Sequence, residues 1–98
     1  MSTNEQPVFE VRLRSKKVQR ELDALQEVDY GRVVVKLRAL ANAPGPQGCE
    51  KLYDAIYRVR VGDSRIIYLV DDKNKRIEVG GIRRRTERTY RGIKELFR

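Results

Sequence analysis

Apolar and polar residues alternate with a period of two from Tyr57, pause once, and alternate again to Tyr68: Tyr-Arg-Val-Arg-Val-Gly-Asp-Ser-Arg-Ile-Ile-Tyr. Successive side chains of a strand face opposite ways, so Val59 and Val61 share one face while Arg58 and Arg60 share the other. Gly62-Asp63-Ser64 is turn chemistry, and the stretch reads as a β-hairpin with Arg65 directly after the turn. Upstream, Pro7 to Leu13 alternates as well, with Phe9, Val11 and Leu13 on the apolar side; a leading proline suits a first or edge strand. Ser15 is a good N-cap for a helix in which Val18, Leu22 and Leu25 form the apolar stripe. Asp29 is positioned to cap a second helix carrying Val33, Leu37, Leu40 and Ala41, whose spacing outweighs the mild strand tendency of Val33-Val34-Val35. The short connection near 27–29 predicts an antiparallel helical hairpin.

Residues 42–48 hold two prolines and two glycines and form the clearest loop. Asp71 to Lys75 is a second turn, and Arg76 to Ile82 a further strand with Ile77 and Val79 on one side. Thr86 can cap a final helix with Tyr90, Ile93, Leu96 and Phe97 as its stripe. The predicted order is β-α-α-β-β-β-α. This is an α+β fold: one small domain, with a four-stranded, mostly antiparallel sheet packed on a helical hairpin and a C-terminal helix. Residues 1–6 read as a disordered tail, and 7–98 as the domain.

Composition narrows the chemistry. A chain of 98 residues holds one domain with one modest core. It has no apolar run long enough to span a membrane, and its N-terminus lacks the basic-then-apolar order of a signal peptide, so cytoplasmic residence is expected. With 1 cysteine and 0 histidines, an internal disulfide, a His-based nucleophile pair and a zinc site are all disfavoured, and no cofactor or metal is expected. The net charge of +8 is uneven. Residues 1–50 hold 8 basic and 7 acidic side chains, whereas residues 51–98 hold 14 and 7. A basic excess in the half containing the hairpin points to a polyanionic partner, nucleic acid foremost.

Val59, Val61, Ile66, Tyr68 and Val70 are expected to pack on the helices, leaving Arg58 and Arg60 facing away. Arg65 joins them if the register allows, together with Ile67 and Leu69. Those two need covering, by Ile93, Leu96 and Phe97 of the last helix or by a partner. Arg83-Arg84-Arg85 ends the last strand, with Arg88 and Arg91 beyond. Arginine neutralises phosphate and stabilises developing charge, but stays protonated and cannot act as a base near neutral pH. Tyr90, among Arg84, Arg85, Arg88 and Arg91, is the tyrosine whose phenolate those cations favour most. Such a base can deprotonate an RNA 2′-hydroxyl for attack on the adjacent phosphate. Tyr90 also lies on the apolar stripe, which suits a packing role equally, and the arginine triplet would serve any RNA-binding tail. Tyr57 and Tyr68 read as cross-strand packing. No chemical role is visible for Glu50, Asp63 or Cys49.

Leu37-Arg-Ala-Leu-Ala-Asn-Ala-Pro44, Lys51-Leu52, Tyr57 to Tyr68 and Arg83-Arg-Arg-Thr-Glu-Arg-Thr-Tyr90 together resemble the RelE/ParE toxin superfamily over roughly residues 8–92. The RelE-like branch of that resemblance implies the toxin of a toxin–antitoxin pair, a ribosome-dependent endoribonuclease cutting mRNA in the decoding site. Its expected partners are mRNA, ribosomal RNA and a cognate antitoxin. The resemblance implies phosphate contacts for Arg58 and Arg60, transition-state stabilisation for Arg65, leaving-group assistance for Arg84 or Arg85, and a base at Tyr90. Arg83, Arg85, Arg88 and Arg91 would add RNA contacts. The first two positions are often lysine in relatives; arginine keeps the charge but cannot shuttle a proton, which shifts weight to Tyr90. The alternative within the superfamily is a ParE-like, non-enzymatic inhibitor of DNA gyrase.

Overall fold

The computed structural model describes residues 8–45, 48–84 and 93–97. Among them run β1 (Glu10–Leu13), α1 (Lys16–Asp23), α2 (Glu27–Leu40), β2 (Cys49–Tyr53), β3 (Ile56–Val61), β4 (Ser64–Asp71), β5 (Arg76–Arg84) and a C-terminal 3-10 helix (Ile93–Phe97). The α+β expectation holds, but the sheet has five strands rather than four, in the order β1-β5-β4-β3-β2. The additional strand is β2, an antiparallel edge on β3. Its apolar residues, Cys49, Leu52 and Tyr53, do not alternate with a period of two and so do not announce a strand; its pairing with β3 makes it one. At the other edge β1 pairs parallel with β5, so the sheet is mixed.

Local chemistry accounts for most boundaries. Ser15 caps α1 as expected, its Oγ accepting from the Val18 amide at 3.4 Å. In α2 the expected cap moves: Gln26 holds that position without a side-chain cap bond, and Asp29 lies inside the first turn beside Glu27. Both carboxylates there sit at the positive end of the helix dipole, which lets the helix start earlier than a cap at Asp29 would. The β3–β4 connection is a two-residue loop with Gly62 at φ 60°, a conformation glycine adopts without strain. In the β4–β5 turn, the Asp71 carboxylate accepts from the Asn74 amide and side chain, and these bonds hold its pKa below the usual carboxylate range.

Two apolar layers result. On one side of the sheet Val59, Val61, Ile66, Tyr68, Ile77 and Val79 pack against Val18, Leu22, Val33, Leu37 and Leu40. On the other, Ile56 and Ile67 meet Ile93, with Leu52, Leu69, Leu96 and Phe97 around them. The chain's own C-terminus therefore covers Ile67 and Leu69. The predicted final helix is corrected in part: its described end is a 3-10 helix, while Thr86 lies outside the described residues. That turn docks where β5 carries a bulge of two glycines. A Cβ on Gly80 would stand 2.5 Å from the Phe97 ring, and one on Gly81 3.4 Å from Leu96 Cδ1.

Candidate nucleic-acid interface

The hairpin register decides which arginines meet. In β3 and β4 the directly opposed pairs include Arg58 with Ile67 and Arg60 with Arg65. Opposed residues of an antiparallel pair share a face. Arg58, Arg60 and Arg65 therefore stand together on the face away from the helices, as the alternation predicted. The β4–β5 register extends the row, placing Arg83 directly across from Arg65. Arg84 pairs with Ser64 one position further, on the opposite pleat. It lines a cleft of about 200 Å³ with Glu21, Leu25 and Ile82. Arg85, Arg88, Tyr90 and Arg91 lie outside the described residues.

Like charges directly opposed across strands destabilise a sheet, so a row of three guanidiniums (Arg60, Arg65, Arg83) is not arranged for folding. Two carboxylates meet the arginines at either end of this face, Arg58 and Arg83. Glu50, directly across β2 from Arg58, accepts a hydrogen bond from its guanidinium. Glu21 of α1 accepts from the Ile82 amide at 3.0 Å and from the Arg83 guanidinium. The first of these bonds has a backbone cause. β1 stops at the level of Val79, so beyond that point β5 has no strand on this side and α1 supplies an acceptor instead.

The hairpin tyrosines are structural. Tyr57 and Tyr68 stack with ring centroids 5.9 Å apart. The Tyr68 hydroxyl donates to the Pro44 carbonyl at 2.7 Å, and its side chain is fully buried. Burial, followed by the neighbouring Cys49, pushes this phenol well above its usual range, so it cannot serve as a base near neutral pH. Among the described residues no group of His, Cys, Asp and Glu could hold a metal ion.

Sequence reasoning missed part of the basic surface. Arg12, Arg14 and Lys17 line a cleft of about 580 Å³ with Glu78, Gly80 and Leu96, beside the C-terminal turn. The Arg14 guanidinium lies 5.8 Å from the Phe97 ring centroid and also pairs with Glu78 at 2.5 Å. The signal was present as a basic cluster from Arg12 to Lys17. Its link to the hairpin depends on the parallel β1–β5 pairing, which alternation cannot reveal.

No protein-family model matches the sequence, and no curated protein does. Solved structures do. RelE in the archaeal RelE–RelB complex from Pyrococcus horikoshii OT3 superposes with a TM-score of 0.75 at 29% identity, over 82% of this chain and 98% of that one. The toxin–antitoxin complex RelBE2 from Mycobacterium tuberculosis gives 0.69 at 21%, over 82% and 100%. The isolated Escherichia coli RelE toxin gives 0.70 at 13%, over 83% and 88%. This chain has the fold of the RelE-like toxins.

Proposed function

We propose that this chain is the toxin of a type II toxin–antitoxin pair and acts as a ribosome-dependent endoribonuclease, cutting mRNA in the ribosomal A site without metal or cofactor. The observation that carries the reading is the shared face of Arg58, Arg60 and Arg65. In the proposed reaction Arg58 and Arg60 hold the scissile phosphate. Arg65 stabilises the charge that develops on its equatorial oxygens. Tyr90 takes the proton from the 2′-hydroxyl, the 2′-oxygen bonds to phosphorus, and the bond to the 5′-oxygen breaks. Arg84 or Arg85 stabilises that leaving oxygen, which gains a proton. The products are a 2′,3′-cyclic phosphate and a 5′-hydroxyl end. Arg83, Arg85, Arg88 and Arg91 add contacts to message and ribosomal RNA.

A cognate antitoxin is part of the proposal, supported by the RelE–RelB and RelBE2 complexes to which the fold is similar. So is cytoplasmic residence, where ribosomes are; no described helix is long and apolar enough to cross a membrane. The matching structures named above are RelE proteins, and they lend the gyrase-directed alternative no support.

The test is purified protein added to translating ribosomes, with cleavage sites mapped by primer extension. Cuts within the A-site codon are expected from the wild type. Tyr90→Phe is expected to lower the cleavage rate by at least about 10²-fold, in line with the loss of a general base. Full cleavage by that variant removes Tyr90 from the role of base. Inhibition of supercoiling without RNA cleavage would replace the nuclease reading altogether.

A further inference from the structure

Glu50 and Glu21 approach the arginine row from opposite ends and from different elements. Glu50 comes from the edge strand β2, and its side chain is 58% exposed while the Arg58 side chain it meets is 17% exposed. Glu21 comes from α1, and both it and Arg83 are largely covered, at 18% and 19%. Between the two tethered arginines stand Arg60 and Arg65, directly opposed. Each tether is a carboxylate on a guanidinium, the same bidentate-capable chemistry by which arginine holds a phosphate. A carboxylate and a phosphate oxygen therefore compete for Arg58, and likewise for Arg83.

We infer that Glu50 and Glu21 are specificity-determining residues: internal anions that occupy Arg58 and Arg83 until an RNA phosphate displaces them. The inference rests on the RNA-directed reading of this face. The physical consequence is a discount on casual binding. A chain of net charge +8 attracts any RNA through its field. With two arginines already answered by carboxylates, a loose single strand gains fewer new contacts than the arginine count suggests. RNA held in a fixed path across the row can present several phosphates together and exchange both tethers. The Glu50 tether is the easier one to exchange, because its side chain is far more exposed than that of Glu21. Glu21 also serves the Ile82 amide, so its release of Arg83 leaves that backbone bond in place.

The test measures the affinity of the full chain for a short labelled single-stranded RNA over a salt series. Glu50→Gln removes the competing charge at an exposed position. Glu21→Gln does so while keeping an acceptor for the Ile82 amide. Each is expected to tighten binding about two- to fivefold, the range for a partly solvated ion pair. Each should also steepen the salt dependence by about 0.7 in log–log slope, one further phosphate contact. Asp72→Asn, the same charge change in the β4–β5 turn, should leave affinity unchanged within error. The decisive arm is a double-mutant cycle: the gain from Glu50→Gln should vanish in an Arg58→Ala background. A gain that persists without Arg58, or no gain from Glu50→Gln, overturns the exchange. The same proteins are then assayed on translating ribosomes. Tightening without A-site cleavage by the wild type keeps the exchange and removes the nuclease reading. A-site cleavage without tightening removes only the exchange. Absence of RNA binding by wild type and variants alike removes both.

Discussion

Arg65 occupies the middle of a cross-strand row, with Arg60 opposite it on β3 and Arg83 opposite it on β5. No other arginine of the hairpin has a guanidinium directly across on both sides, so charge developing on a phosphate above the row is felt most at this position. Arg65→Ala is expected to lower the single-turnover cleavage rate on ribosomes by about 10²- to 10³-fold, the cost of removing one transition-state donor. Arg65→Lys should recover only part of it, because the ammonium lacks the planar fork. Tyr68 answers to a different demand. Losing its hydroxyl in Tyr68→Phe removes the bond to Pro44 and should cost about 1 kcal/mol in urea denaturation, with cleavage unchanged once folded protein is compared. Its raised pKa sets a sign as well. The phenol stays neutral in the folded chain while the unfolded chain ionises near 10, so its contribution to stability is full below that pH and is lost as pH rises above it. The alkaline limb of a stability–pH curve should therefore be shallower for Tyr68→Phe than for the wild type.

At the scale of elements, the hairpin and both helices were legible because each depends on a short-range period. Ser15 announced α1, and Ser15→Ala should destabilise the fold by about 1 kcal/mol in thermal or urea unfolding. The second helix was legible in its stripe and misjudged at its start, where acidic residues in the first turn do the work expected of a cap. β2 was not legible. Three of its five side chains are exposed, and its strand character comes from hydrogen bonds to β3, which only the assembled sheet supplies. The C-terminal turn shows the converse. Its apolar residues were assigned correctly to the cover over Ile67 and Leu69, yet the partner that admits Phe97 is the absence of a side chain at Gly80. Gly80→Ala should push Phe97 off the sheet. The expected cost is about 1–3 kcal/mol, with faster proteolysis at the C-terminus as the direct readout.

Over the whole molecule, charge and topology meet. The basic excess of the second half becomes a surface because β5 runs between β4 and β1, carrying Arg83 to the hairpin arginines and Arg12 and Arg14 to the same side of the domain. Binding to single-stranded RNA should weaken steeply with salt. Replacing Arg58, Arg60 and Arg65 together by glutamine should flatten that dependence by about 1.4 in log–log slope, about 0.7 each for the contacts of Arg60 and Arg65, because Glu50 already answers Arg58 against a loose strand. An unchanged slope would move the RNA path away from the hairpin. The circular dichroism spectrum should stay that of the wild type, because none of the three belongs to either apolar layer.

The sequence by itself determined what depends on near neighbours and on totals. These are the two-fold period that separates valines from arginines in the hairpin, the helical stripes, the glycine turn, the lack of histidine and the clustering of positive charge. Tertiary structure decided what depends on register and adjacency. It made β2 a strand, set β1 parallel to β5, and placed Arg83 rather than Arg84 across from Arg65. It also brought Glu50 and Glu21, one from the sheet edge and one from a helix, onto the arginine row. A strand's alternation fixes which face a side chain takes, but the residue beside it on the next strand follows from pairing, and one position of slip exchanges the faces.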